Sequence, residues 1–375
     1  MINTQFLRLL SLLSVTSPLT LSAKYVIPPP KNYAKSDYAI NWERNIYPWY
    51  WNASKNVELN RHDMEVELTA NKSLNGLKIV QFYGTSPTTP NNLINLNGYS
   101  LLIGAGGLIN ASEEQTIINN GILSSHTGSL KITNTVDTKN ELLIEASITN
   151  TPGYSVSLNI SSSSITSSKR IVALGGTQSN TFTGETTVIG QNILRLKKTI
   201  GSTAIAGDLR VKEGATVELY TSNQIRHTSR VTLTSYYHSD GPSEIVFKGK
   251  NITQSLHQLV IEGTGKIDFG DTWRSGKNTL YLDDLEIRGN GRLIITNWRE
   301  GESFLLVHKD SVHLKDALSK IEFADGRKWG DLVSFDGEYY SISNVPEPAI
   351  FGAGVMAVGL GALAWKRKRI ARRIA

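Results

Sequence analysis

A short unit recurs along the middle of this chain: a turn residue, then two apolar residues separated by one other residue. It appears as Gly76-Leu77-Lys78-Ile79, Gly128-Ser129-Leu130-Lys131-Ile132, Gly207-Asp208-Leu209-Arg210-Val211, Gly265-Lys266-Ile267-Asp268-Phe269 and Gly291-Arg292-Leu293-Ile294-Ile295. Residues two apart in a strand share a face, so each unit sends two apolar groups to one side and the residue between them to the other. Helical periodicity is scarce between residues 56 and 340, where Gly, Asn, Asp and Ser punctuate the alternation. Close spacing and Gly/Asn-rich turns favour stacking of these units over a β-sandwich. The expected body is therefore all-β, a right-handed parallel β-helix (β-solenoid) over residues 56–340, with one short helix at 313–320. Its ends need covering, because an open end invites edge-to-edge association. Residues 24–55, with Pro28, Pro29 and Pro30 and then Trp42, Tyr47, Trp49, Tyr50 and Trp51, read as a spacer and cap. Ile321, Phe323, Trp329 and Phe335 are expected to close the other end.

Residues 341–375 have a different character. Val345, Pro346, Glu347 and Pro348 make a rigid extended segment, since each proline fixes its own φ and disfavours helix in its predecessor. Residues 349–365 carry no charge; about 17 residues give roughly 26 Å of helix, the short end of a bilayer span. Lys366, Arg367, Lys368, Arg369, Arg372 and Arg373 cannot enter hydrocarbon and are expected to stay cytoplasmic as a stop-transfer signal, which puts the body on the other side. Arg8 and the Leu-rich run after it, ending at Leu21-Ser22-Ala23, read as a signal peptide over residues 1–23.

Charge agrees with export. The formal +6 is a terminal effect: without Arg8 and the six tail cations, 32 of the 39 Lys and Arg remain against 33 acidic residues. A nucleic-acid partner would need positive charge on the body, so none is expected. The absence of cysteine excludes disulfides and thiolate chemistry.

The order Pro-Glu-Pro, short Gly/Ala-rich span, basic end resembles the PEP-CTERM sorting signal of Gram-negative bacteria, over residues 345–373. That resemblance implies a membrane processing enzyme of the exosortase type as partner, cutting near Pro346. The precursor would be anchored in the inner membrane and then delivered to the cell surface or its exopolysaccharide matrix. Within the body, Leu174-Gly175-Gly176, then Asn180, Phe182, Gly184, Thr186 and Thr187, then Leu194-Arg195-Leu196 resemble the autotransporter-associated β-strand repeat. In that family an Asn–aromatic–Thr–Gly–x–Thr–Thr turn joins two rungs of a surface-exposed passenger. The family's outer-membrane barrel has no counterpart in the sequence.

The expected role is structural or adhesive, without catalysis, cofactor or metal. Two alternatives are a polysaccharide-active β-helix enzyme and a permanently anchored periplasmic protein. An enzyme needs carboxylates grouped on adjacent rungs, for which Asp268, Asp271, Asp283 and Asp284 are the candidates; each also reads as a turn-capping residue. The seven histidines are scattered, with no HExxH spacing.

Overall fold

The structure is a computed structural model that describes residues 42–44, 51–60, 65–80, 91–112, 114–136, 141–162, 169–235, 241–270, 276–324, 326 and 331–343. Regular structure in them is twenty-five strands and one short helix, Leu314–Leu318. The chain is a parallel β-solenoid of about nine turns.

Alternation explains why. In all five units named above, the two apolar residues are buried and the residue between them is exposed to some degree. Each inward position then stacks on its equivalent one turn away. Val57, Leu77, Leu108, Ile132, Ile160, Val188, Val211, Leu233, Ile261 and Ile287 form one column of Cα partners. The turns are unequal, from 20 residues (Val57 to Leu77) to 31 (Leu77 to Leu108), because loops of different length leave the corners while the register of the walls is kept.

Three such walls enclose the core. The first contains that column. The second carries Ile94, Ile118, Ile144, Leu174, Leu196, Leu219 and Phe247 in register. Its line ends in an aromatic stack: Phe247 on Phe269 at 5.2 Å, then Trp298 and Phe323 edge-on at 5.3 Å each. The third wall is regular at both ends, as in Lys72–Val80 and Asn278–Thr296, which themselves bend from one wall into the next. Between residues 176 and 208 it has no named strand, and only the bridge Ile205 to Ile225 marks the register there. Burying a Leu, Ile or Val side chain contributes about 1.5–3 kcal/mol, so the core rests on these columns.

Pairing starts earlier than residue 56: Trp42–Arg44 lies parallel to Asn56–Asn60, within the segment read as a cap. At the other end the pattern changes sign. Helix Leu314–Leu318 packs on Asn278–Thr296, Ile321–Phe323 extends the second wall, and Tyr339–Ser343 pairs antiparallel with both Ser303–His308 and Asp331–Ser334. A parallel edge is thus covered by an antiparallel hairpin that cannot template another turn. Ile321 and Phe323 are buried as expected, Phe335 lies exposed against Phe304, and Trp329 lies outside the described residues. No helix among the described residues is long and apolar enough to cross a membrane, and the expected signal peptide and sorting signal lie outside them.

Candidate interaction surface

The outward positions stack as regularly as the core. On the first wall Lys131, Asn159, Thr187, Arg210 and Thr232 follow one another turn by turn, beside a second row of Lys212, Thr234, Glu262 and Arg288, with Thr232 and Thr234 buried between their longer neighbours. Neighbouring parallel strands lie about 4.8 Å apart, so these rows repeat at that interval. They are tied laterally: Arg210 bonds Glu185 at 3.3 Å and approaches Glu262 at 3.6 Å, and Arg288 bonds Glu262 at 2.8 Å and Glu286 at 2.7 Å. On the second wall Glu141 meets Lys197 and Arg195, and Arg195 also bonds Glu218 at 2.9 Å. Each carboxylate there has two cations around it, since Lys248 reaches Glu218 at 3.4 Å. Single exposed pairs contribute little, whereas linked partly buried ones fix side-chain positions.

The second wall also departs from expectation. Leu93, Ile117, Leu143 and Ala173 occupy its outward row before Arg195 and Glu218 take over. Strands Glu141–Ile144 and Arg170–Leu174 are buried on both faces.

The repeat-turn residues come together around one corner. Asn180 accepts the Ile148 N–H at 2.9 Å through Oδ1, and its Nδ2 donates to the Ala204 carbonyl at 2.7 Å, so one side chain links three turns. Phe182 fills the core beneath. Gly184 is needed for close approach, because a Cβ there would lie 2.4 Å from the Val156 carbonyl oxygen. Thr186 points inward between Leu158 and Leu209, and Thr187 points outward to Glu185 at 3.2 Å.

Asn180 is the first of a series whose later members sequence reasoning missed. Gln224 serves Lys198, Gln254 accepts the Ile225 N–H at 3.1 Å, and Asn278 accepts the Ile252 N–H at 3.0 Å. Each is buried. These amides supply acceptors to the N–H groups of Lys198, Ile225 and Ile252 along the third wall. Lys198 is buried beside them, its ammonium donating to the Gly175 carbonyl at 2.6 Å; loss of water lowers its pKa to about 8, against the raising effect of Glu145.

Among the described candidate carboxylates, Asp268 stands apart from Asp283 and Asp284. Asp268 stands on the second wall opposite Thr296, whereas Asp283 and Asp284 stand where the third wall meets the first, and Asp271 lies outside the described residues. Asp268 accepts from Asn297 at 2.6 Å and from the Gly270 N–H at 2.8 Å, a turn-capping arrangement. Asp283 faces His257 at 3.2 Å. Asp284 accepts from Ser311 at 2.7 Å, His313 Nδ1 at 2.6 Å and Gln258 at 2.9 Å, which uses its oxygens to hold the helix entry. Among the described residues no group of three or more His, Asp or Glu is arranged to hold a metal ion.

No family model matches this chain, and neither a curated protein nor a solved structure does. The functional reading therefore rests on the fold and its surface. The sorting residues Val345, Pro346, Glu347 and Pro348 and the basic tail from Lys366 to Arg373 lie outside the described residues.

Proposed function

We propose that this chain is a non-catalytic structural or adhesive solenoid, displayed at the surface of a Gram-negative cell and engaged with its exopolysaccharide. Its hand would be right-handed, the sense that the twist of parallel strands favours for their crossovers. In this reading the tail from Val345 onward is a PEP-CTERM signal handled by an exosortase-type enzyme, and the body is a passenger-like repeat. The observation that carries the surface role is the set of outward rows repeating turn by turn and tied by linked ion pairs. A rigid lattice of weak contact points suits a repetitive polymer, because many weak contacts add into high avidity when their spacing is fixed. The carboxylate geometry supports the non-catalytic side, since Asp268 and Asp284 spend their oxygens on turn and helix contacts.

Co-sedimentation of the purified protein with the host's own surface polymer tests this. Retention that falls when Lys131 and Arg210 of the first row and Lys212 of the second are neutralised together is expected. Failure to sediment with the polymer at low salt would overturn the reading.

A further inference from the structure

One corner between the first and second walls differs from the rest. Gly263 turns it tightly, with φ +89° and a hypothetical Cβ only 2.0 Å from the Ser235 carbonyl oxygen. On the next turn the register slips: Glu262 pairs with Arg288 but Thr264 pairs with Arg292, so two extra residues bulge outward around Asn290. On the preceding turn Gly241 and Pro242 pass the same corner. Between these two rims lies a half-open notch of about 600 Å³, whose walls include Ser235, Glu262, Thr264, Arg288 and Arg292. That volume falls within the range of ligand sites, about 300–1,000 Å³.

Its two arginines differ in kind. Arg288 is locked, with Nε and Nη2 donating to Glu286 at 2.7 and 3.1 Å and Nη1 to Glu262 at 2.8 Å. Arg292 makes a 3.7 Å ion-pair contact with Glu322, and both side chains are nearly half exposed. Such a pair is worth little in water and exchanges readily for a better partner. Gly263, Gly289 and Gly291 contribute main chain without side chains to the lining. Pro242 and Ile294 are the apolar side chains of its lining.

We propose that this notch binds the carboxylate of an acidic sugar unit, with the Arg292 guanidinium as the anchor. The proposal rests on the polymer-binding reading above and gives it a site and a charge. A guanidinium meets a carboxylate through two parallel N–H···O bonds. Glu262, whose oxygens accept from Arg288 and Thr234, lines the same notch and keeps Arg288 engaged, which leaves Arg292 as the cation to meet the ligand.

Calorimetric titration of the full chain with hexagalacturonate and, separately, with cellohexaose tests the proposal. The acidic oligosaccharide is expected to bind and the neutral one not, and Arg292→Gln is expected to weaken binding at least about tenfold, the loss of one charge-assisted contact. Lys72→Gln, on the third wall near the opposite end of the solenoid and in neither outward row, should change nothing. Equal binding of the two sugars, no binding of hexagalacturonate, or indifference to Arg292→Gln would overturn the proposal. The polymer-binding reading has its own test, since the native polymer either sediments with the protein or does not.

Discussion

Gln224 and Lys198 meet through both halves of the glutamine amide: Oε1 accepts the Lys198 N–H at 2.9 Å, and Nε2 donates to the Lys198 carbonyl at 3.3 Å. One buried side chain thereby replaces the strand that is missing at this point of the third wall. Gln224→Leu keeps much of the volume but strands the Lys198 N–H in a dry interior. An unpaired buried polar group costs about 1–3 kcal/mol. The variant should lose about 2 kcal/mol of unfolding free energy, read as a lower urea midpoint. A change within about 0.5 kcal/mol, the level of an ordinary surface substitution, would contradict this role.

The walls also depend on glycines that allow close approach between turns. A Cβ at Gly207 would stand 2.3 Å from the Gly184 carbonyl oxygen and 2.8 Å from that of Thr183, and neither backbone atom can rotate away. At Gly190, with φ +69°, a Cβ would meet nothing within 4 Å. Gly207→Ala should therefore cost about 1–3 kcal/mol through displacement of the neighbouring turn. Thermal unfolding should show a larger loss for Gly207→Ala than for Gly190→Ala; the reverse order would mean that the turns are not packed in this way.

Helix Leu314–Leu318 is pinned to the last turns by Asp284 and His313, and this contact makes stability pH-dependent. The hydrogen bond to Asp284 raises the pKa of His313 against the smaller opposing effect of burial. Burial would raise the Asp284 carboxyl, but the bonds from Ser311, His313 and Gln258 outweigh it and the net shift is downward. A raised histidine stabilises the fold below its unfolded pKa, about 6.5, and that contribution is lost as pH rises through the folded value. A lowered aspartate stabilises the fold above about 3.9, and loses that effect as pH falls through its folded value. The pair therefore contributes most between about pH 4 and 6.5. His313→Gln should remove the decline in stability on the alkaline side of this window, measured as the unfolding midpoint from pH 5 to 9. An unchanged profile would show that the pair does not hold the helix.

Much of the fold was legible because one rule, two residues per strand period, applies to every wall. Leu77, Ile79, Leu130, Ile132, Leu209, Val211, Ile267 and Phe269 all point inward as their spacing requires. The rule fails at Glu141–Ile144 and Arg170–Leu174, where both faces are buried and a continuous apolar run carries no alternation. Gln224, Gln254 and Asn278 were hidden for another reason: a polar residue in an alternating strand reads as outward, whereas these three turn in to accept backbone N–H groups. In the stretch read as a repeat turn, Asn180 bonds two neighbouring turns, Phe182 fills the core and Gly184 allows close approach. The notch at Arg292 was beyond sequence reasoning, because it arises from a two-residue slip in register between turns.

The central claim is that this solenoid is exported and freed from its C-terminal signal. The most direct measurement is the intact mass of the protein recovered from its native cell surface, set against the encoded chain of 375 residues. The expected form begins near Lys24 and ends near Pro346 or Glu347, having lost both terminal segments. A surface form that still carries Trp365 and the basic residues through Arg373 would contradict the claim and leave a membrane-tethered protein.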